Sequence, residues 1–400
     1  MRTVKTDVAI IGGGVIGCGI AFYLAKKGID VVVLEASSIA AMGSGRSLGA
    51  LRSQGRDLDE MPLVLESHEI FPTLNDEFGY DTEYRKCGHL MFVFSEDHVS
   101  TLETLYQRQS RAGYEGSKLV SSEEIHNLVP SLPKGLAKGM YCASDGDINP
   151  MRMNYGYFLG AKKWGAKIFT HTPVKGIRTE KGRVVSLDAG DLVVKSNWVV
   201  NAAGVHAREI SKWVGIDLPI ISLVYEMLVT EPVPPFLSTV LQCPEKKFGC
   251  RQVVSGNILF GSSVPNDLSF DMTVLREKFK ERVSLMRSIF VKNLRDVSIL
   301  RSFVGLFDIT PDLLPIIDCP DQLKGYVVAA GFSGHGLAIG PAVSNRVAEW
   351  IRTGIRPSHL EKLSYGRFAA EEITEFGNQK GKYSFMVWTK PKLKEHPIRN

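Results

Sequence analysis

Residues 7–35, DVAIIGGGVIGCGIAFYLAKKGIDVVVLE, constrain this chain more than any other stretch. Asp7 to Ile11 is a short apolar run suited to a buried parallel strand. Gly12, Gly14 and Gly17 follow as G-x-G-x-x-G. Val15 to Lys27 then reads as a helix with Ile16, Ile20 and Leu24 on one face and Gly28 as its stop. Val31 to Leu34 is a second apolar strand, and Glu35 closes it. The pattern is a complete βαβ unit with glycines at the first turn and an acid after the second strand.

Each part has a physical task. Gly12 permits the tight turn, Gly14 lets a pyrophosphate approach the backbone, and Gly17 lets helix and strand pack closely. The amides of Val15 and Ile16 open the helix, where unpaired N–H groups and the positive dipole end favour phosphate. Glu35 is placed to accept from a ribose hydroxyl. A lone G-x-G-x-x-G is a weak signal; here strand, helix, second strand and acid all fall where a dinucleotide fingerprint needs them.

A chain of 400 residues exceeds one simple core, so two interleaved domains are expected. The hydrophobic share of 44% is that of an ordinary globular protein. No apolar run reaches membrane-spanning length, so no membrane span is expected, and Met1 to Thr6 is too short and polar for a signal peptide. A net charge of +5 with both signs mixed argues against a nucleic-acid surface. The six cysteines (Cys18, Cys87, Cys142, Cys243, Cys250 and Cys319) show no C-x-x-C and no zinc spacing. No metal site is expected, and a reducing cytoplasmic compartment fits best.

Along the chain, residues 37–56 form a Gly-, Ser- and Arg-rich loop. Ser44, Gly45, Arg46, Ser47, Leu48 and Gly49 are candidates for a phosphate and ring cradle, against the alternative of a solvated loop. From Glu60 to Tyr141 the character changes. Helices are expected over Met61 to Glu77 and His98 to Ala112, a strand over Gly88 to Phe94, and a capping box at Ser121 to Glu124. His89 beside Cys87 reads as packing. A helix over Met151 to Trp164 and a strand at Lys167 to Thr170 come next. A meander follows over Val174 to Ile177, Val184 to Asp188 and Leu192 to Lys195, then a separate strand over Trp198 to Asn201. Val174, Ala203 and Gly204 lie at strand ends, the edge that faces a cofactor in a doubly wound sheet. Strands and a helix over Thr273 to Phe290 form another layer between Asp217 and Leu300.

The last return is informative. Ser298 to Phe307 is strand-like and holds Arg301 and Gly305. Tyr326 to Ala330 is a buried strand, and Gly331, Phe332, Ser333, Gly334, His335 and Gly336 form a second glycine loop before a helix that opens at Leu337. A helix N-terminus there would stabilise the negative charge a reduced flavin carries near N1. No Ser-His-Asp triad or paired carboxylates converge by motif.

The chain resembles the D-amino-acid oxidase superfamily of FAD-dependent amine and imino-acid oxidoreductases. IIGGGVIG, GSGRSLGALRSQG, WVVNAAGVHA, TPDLLPIID and AAGFSGHGLAIGPAVSNRVAEWI carry the resemblance and run in family order. Within the family it is most similar to the β subunits of heteromeric sarcosine oxidase and archaeal dye-linked L-proline dehydrogenase. LVPSL at Leu128 to Leu132, RSFVG at Arg301 to Gly305 and GHGLAIGPAV support that branch.

The resemblance implies an α/β fold: a discontinuous Rossmann-like FAD-binding domain (1–80, 145–215, 300–370) interleaved with an antiparallel-sheet substrate domain (81–144, 216–299), and a C-terminal extension (371–400). It implies oxidation of a small amino or imino acid, such as sarcosine, proline or hydroxyproline, to the imine. Arg52 falls where relatives hold the substrate carboxylate, which suits a guanidinium fork. A structural acid or a cofactor phosphate is the alternative partner. Arg301 is a second anion-site candidate, and Gln252 and Arg251 are candidate pocket residues from the substrate sheet. For His335, the backbone is expected to matter more than the imidazole.

Pro150 stands where relatives attach FMN through a histidine, and Cys319 follows the TPD motif that an FAD-bearing cysteine precedes in others. Noncovalent FAD is therefore expected, with FMN at a subunit interface left open. An α-type partner subunit and an electron acceptor are implied. Two alternatives stand beside this: a self-contained oxidase producing hydrogen peroxide, and a non-catalytic FAD-bearing assembly component. The basic stretch 379–400, with Lys380, Lys382, Lys390, Lys392 and Lys394 around Trp388, would dock a partner subunit or an anionic membrane surface, or else form an ordered cap or a frayed tail.

Overall fold

The computed structural model describes residues 2–263, 272–274 and 276–368. Its first unit is the βαβ expected from the glycine pattern: β1 (Arg2–Ile11), α1 (Val15–Lys26) and β2 (Val31–Leu34). β1 runs five residues further towards the N-terminus than its apolar core. Arg2 to Thr6 pair in parallel with Leu192 to Ser196, and Val8 to Ile11 with Trp198 to Asn201. The partner is therefore one ten-residue strand, Leu192–Asn201, and not the two short ones expected. Its first half also serves the antiparallel Arg183–Asp188 strand, while its second half lies in the buried centre of the sheet. The polar residues Lys195 and Asn197 disguise that continuity.

The parallel sheet runs in the spatial order Ile316–Asp318, Tyr326–Ala330, Leu192–Asn201, β1, β2, Lys167–Phe169, with only the first pairing antiparallel. Val8, Ala9 and Ile10 are fully buried, as strands covered on both faces require. α1 is buried almost all round, because Pro150–Lys163 and a long helix, α3 (Gly336–Thr353), enclose it against the sheet. Gly17 makes the strand contact: a Cβ there would lie 2.0 Å from the Gly12 carbonyl oxygen.

The second sheet has eight strands in the order Ile299–Ile309, Ile221–Pro232, Asn257–Ser263, Phe248–Gln252, Val240–Cys243, His89–Val93, Lys138–Cys142, Ser117–Val120. The Ile299–Ile309 strand pairs with Ile221–Pro232 from end to end. The domain boundary expected at residue 300 thus falls at the start of a strand that belongs to the antiparallel sheet. That strand then delivers its last residues to the parallel sheet's edge.

Against α3 packs α2 (Met61–Ile70). The long helix expected over Met61 to Glu77 is broken by Phe71–Thr73, where Pro72 withholds an N–H, and resumes at Leu74–Phe78. α2 is strapped to α3: Ser67 Oγ accepts from the Ala342 amide (3.2 Å) and Glu66 pairs with Arg346 (2.8 Å). Pro341 breaks the hydrogen-bond ladder of α3 beside that amide. The capping box at Ser121 forms as read. No helix among the described residues is long and apolar enough to cross a membrane. The basic stretch 379–400 lies outside the described residues.

Candidate functional site

A cavity of about 470 Å³ opens where the carboxyl ends of the parallel strands face the antiparallel sheet. The first glycine turn forms one wall. Gly12 takes a φ of 109°, and a Cβ there would meet the Ala202 carbonyl oxygen at 2.5 Å. Two strand-end loops therefore touch through a glycine, and Ala203 and Gly204 continue the wall. Gly14, Val15 and Ile16 line the cavity at the start of α1, where four amides lack intrahelical acceptors. Ser44 Oγ accepts one of them, from Val15, at 3.0 Å.

Glu35 lies at one end of this wall. Its two carboxylate oxygens accept from the Gly13 amide (2.6 Å) and the Ser37 amide (2.7 Å), and it lines the cavity beside Val174. An ionised carboxylate has further lone pairs for a ribose hydroxyl. His206, Glu209 and the half-exposed Trp213 complete this part; no sequence signal singled them out.

The second glycine loop forms another wall. Gly334, Gly336 and Leu337 line it at the start of α3. Asp308, at the end of the Ile299–Ile309 strand, organises this loop: its carboxylate accepts from the Gly331 (2.7 Å) and Phe332 (3.1 Å) amides, and its carbonyl from the Ser333 amide (2.9 Å). Burial pushes the Asp308 carboxyl up to about 6, against the pull of those amides. Ser333 is fully buried and holds its left-handed turn by hydrogen-bonding Thr310. Gly331 packs on Thr310, and Gly334 on the Phe307 ring.

The loop 44–49 divides. Ser44 and Ser47 line the cavity, whereas Gly45, Arg46, Leu48 and Gly49 stand behind it. Arg46 donates to the Ala41 and Val304 carbonyls, both at 2.8 Å, and its Cβ would crowd a side chain at Gly305. Arg46 and Gly305 therefore lock the loop to the antiparallel sheet. Gly49 makes room for the Arg251 guanidinium, which pairs with Asp147 at 3.0 Å. Asp147 is fully buried and shared with Arg85 at 2.5 Å.

The substrate-side candidates separate. Arg301 is exposed, with its guanidinium over the Phe303 ring, and does not line the cavity. It lies in an exposed stretch at the start of the strand, beside the equally exposed Leu300. Gln252 is buried, but its carboxamide is committed: Oε1 accepts from the Phe236 and Leu237 amides and Nε2 donates to the Val233, Pro234 and Gly256 carbonyls. It braces a proline-rich turn and is left with no group to meet a ligand, whereas Arg251 braces Asp147 and keeps a buried, unpartnered Nε.

Arg52 is 9% exposed, donates to the Gln54 carbonyl and, like Arg301, does not line the cavity. Around it lies a buried polar cluster. Arg56 is 3% exposed, with Nη1 unpartnered, and Gln54 Nε2 is unpartnered as well. His89 Nδ1 meets Gln54 Oε1 at 2.7 Å. Burial, then the Arg52 and Arg56 charges, hold that imidazole far below its ordinary value. Asp145 takes the Ser53 amide (2.9 Å) and hydroxyl (2.6 Å). Glu60, fully buried, sets both oxygens 3.0 Å from His335 Nδ1. Burial opposes the Glu60 charge, but His335, Arg56 and Arg52 outweigh it and hold the carboxyl below its usual range. The imidazole of His335 thus has a partner that the sequence did not disclose.

Among the described residues no group of acids, histidines and cysteines is arranged to hold a metal. All six cysteines are free, and none lines the cavity. Two helix N-termini and Glu35 around one cavity fit an extended dinucleotide with a ring that gains negative charge.

Comparison with known proteins agrees. The FAD dependent oxidoreductase (DAO) family model matches residues 7–350. The chain is 26% identical to dimethylglycine dehydrogenase of Rattus norvegicus over 95% of its own length, but spans about half (47%) of that protein. It is 28% identical to the B subunit of opine oxidase from Rhizobium meliloti, over 92% of this chain and 99% of that one. The structure of L-proline dehydrogenase from P. horikoshii superposes with a TM-score of 0.86 at 27% identity, covering 92% of this chain and 99% of the other. With the glycine turn, the acid after β2 and the second glycine loop all walling one cavity, this chain belongs to the family of FAD-dependent oxidoreductases.

Proposed function

We propose that this chain oxidises a small amino or imino acid at its CH–NH bond, using noncovalent FAD, as the catalytic β-type subunit of a heteromeric dehydrogenase or oxidase. The observation that carries this reading is the convergence of two helix N-termini and Glu35 on one cavity in a member of the FAD-dependent family. Bound FAD supplies the hydride acceptor. The chain's own residues orient and polarise. The α1 amides, Ser44 and Ser47 hold the phosphates, Glu35 holds the ribose, and the start of α3 favours negative charge at the ring. Arg52 takes the substrate carboxylate and so presents the amine-bearing carbon. Pro150 opens its helix without a histidine, and Cys319 hydrogen-bonds the Leu323 carbonyl away from the cavity, in keeping with a noncovalent cofactor. No observation among the described residues supports an FMN site.

The heteromeric reading draws on the full-length match to the opine oxidase B subunit. It also draws on the Pro150–Lys163 helix, where Met151, Tyr155 and Leu159 recur at i, i+4 and i+8 with 40%, 40% and 49% of their surface exposed. The test is a panel of N-methyl, cyclic and primary amino acids assayed with a redox dye, with oxygen uptake followed in parallel. Dye reduction with imine or aldehyde release by one class is the expected result. Oxygen uptake by the chain alone would make it a self-contained oxidase. Turnover of no amino acid by the chain or by its purified complex would overturn the reading.

A further inference from the structure

The cluster around Arg52 has a feature that carboxylate binding alone does not use. Arg52 and Arg56 are buried cations, and Glu60 and Asp145 are the buried anions beside them. Arg56 Nε donates to the Arg52 backbone carbonyl at 3.2 Å and the Arg52 guanidinium donates to the Gln54 carbonyl, so each guanidinium is held against the backbone of residues 52–54. Glu60 has no carboxylate proton to give, so His335 must donate from Nδ1, and Nε2 carries the lone pair. His335 is 13% exposed by its side chain and sits between Gly334 and Gly336, which line the cavity, while its own imidazole lies behind that wall against Glu60. Resting on the function proposed above, we propose that Glu60 and Arg56 are positioning residues that couple capture of a carboxylate at Arg52 to uptake of a proton on Nε2 of His335.

The electrostatics follow from the arrangement. With His335 neutral, Arg52 and Arg56 stand beside the two acids Glu60 and Asp145, and burial pushes the Asp145 carboxyl up. A substrate carboxylate adds a buried negative charge, and a buried unbalanced charge is costly. The charged groups that face His335 are Glu60, Arg56 and Arg52, all from residues 52–60; Asp308, behind the same loop, is turned to the Gly331 and Phe332 amides. Burial and Arg56 hold the imidazole down at about 4 in the free protein, with Glu60 pulling the other way. An anion on Arg52 and Arg56 screens the cations that oppose protonation. The proton comes from solvent and stays on the imidazole while the carboxylate is bound. The oxidised and reduced partners of the reaction are unchanged by it.

The experiment is calorimetric titration of the FAD-loaded protein with methoxyacetate, a non-oxidisable carboxylate, at pH 5.5 in two buffers of different ionisation enthalpy. A nearby charge moves an imidazole pKa by about 1 to 3, so uptake of about a fifth of a proton or more per methoxyacetate is expected. His335→Asn binds methoxyacetate without uptake, and Glu60→Gln, which leaves the guanidiniums a counter-charge short, binds it more tightly by about tenfold. A purely structural Glu60 would instead weaken both ligand and FAD. If a variant does not fold, the ¹⁵N shifts of His335 in the wild type, with and without methoxyacetate, report the protonation directly. Binding without proton uptake overturns the coupling and leaves the proposed function standing. If methoxyacetate does not bind, the coupling falls, and flavin reduction by the amino-acid panel decides separately whether the proposed function falls with it.

Discussion

Replacing Glu35 by glutamine keeps the size of the side chain and removes its charge. In the structure both Glu35 oxygens already accept, from the Gly13 amide at 2.6 Å and the Ser37 amide at 2.7 Å. A glutamine has one acceptor oxygen, so its NH2 group must face one of those N–H donors. A hydrogen bond to a charged group contributes about 1.5–3 kcal/mol, and most of that is lost at one of the two sites. Gly13 lies between the two glycines of the turn, so the loss falls on the wall proposed to bind phosphate as well as on the proposed ribose contact. If about 1–2 kcal/mol of it appears in binding, the FAD dissociation constant rises by about 5- to 30-fold. Titration of apoprotein with FAD, followed by quenching of flavin fluorescence, measures this. An affinity within twofold of the wild type in a folded Glu35→Gln protein would refute the placement of the nucleotide at Glu35.

Other outcomes follow from the same geometry. Gly17→Ala would set a Cβ 2.0 Å from the Gly12 carbonyl oxygen, so the purified protein should carry no flavin, as its absorbance at the flavin band would show. Arg52→Ala should raise KM for the amino acid by about 10²-fold or more, the loss of a charge-assisted pair of about 3 kcal/mol, with FAD content unchanged. Asp147→Ala leaves the Arg85 and Arg251 guanidiniums without their shared buried anion; breaking such a pair costs about 3–5 kcal/mol and should lower Tm markedly in a thermal melt. Asp308 is an acid whose folded value, about 6, lies above its ordinary 3.8, so the folded apoprotein holds a proton that the unfolded chain releases. Its contribution to stability is complete below about pH 4 and is lost as pH rises through about 6, a slope that denaturant melts across that range should show and Asp308→Asn should remove.

The nucleotide half was legible because its requirements are local. A tight turn, a close helix contact and an acid after a strand each demand a residue type at a fixed spacing, and Gly12, Gly17 and Glu35 stand where that spacing puts them. The second glycine loop was visible for the same reason. The polar cluster was not. Glu60 and His335 are 275 positions apart and meet only because α2 is strapped along α3. Asp308 reads as a residue at a strand's end until the loop it braces is folded over it. Gln252 and Arg301 misled in the opposite way. A polar side chain in a sheet can serve a ligand, a turn or solvent, and only the register shows that Gln252 braces residues 233–237 and that Arg301 faces out. That the chain leaves the nucleotide layer and returns to it could be read from its changes of character, whereas the antiparallel sheet of the second domain was implied by the family resemblance. The course of Ile299–Ile309, which joins one sheet and ends against the other, depends on its pairing with Ile221–Pro232, and single-strand pattern does not encode that.

The most direct measurement is the absorbance spectrum of the purified chain under anaerobic conditions as N-methyl, cyclic and primary amino acids are added in turn. The account predicts a flavin band that one of these classes bleaches and that Arg52→Ala leaves oxidised at the same substrate concentration. A chain that binds no flavin, or a flavin band that no amino acid bleaches in the chain or in its purified complex, would contradict it.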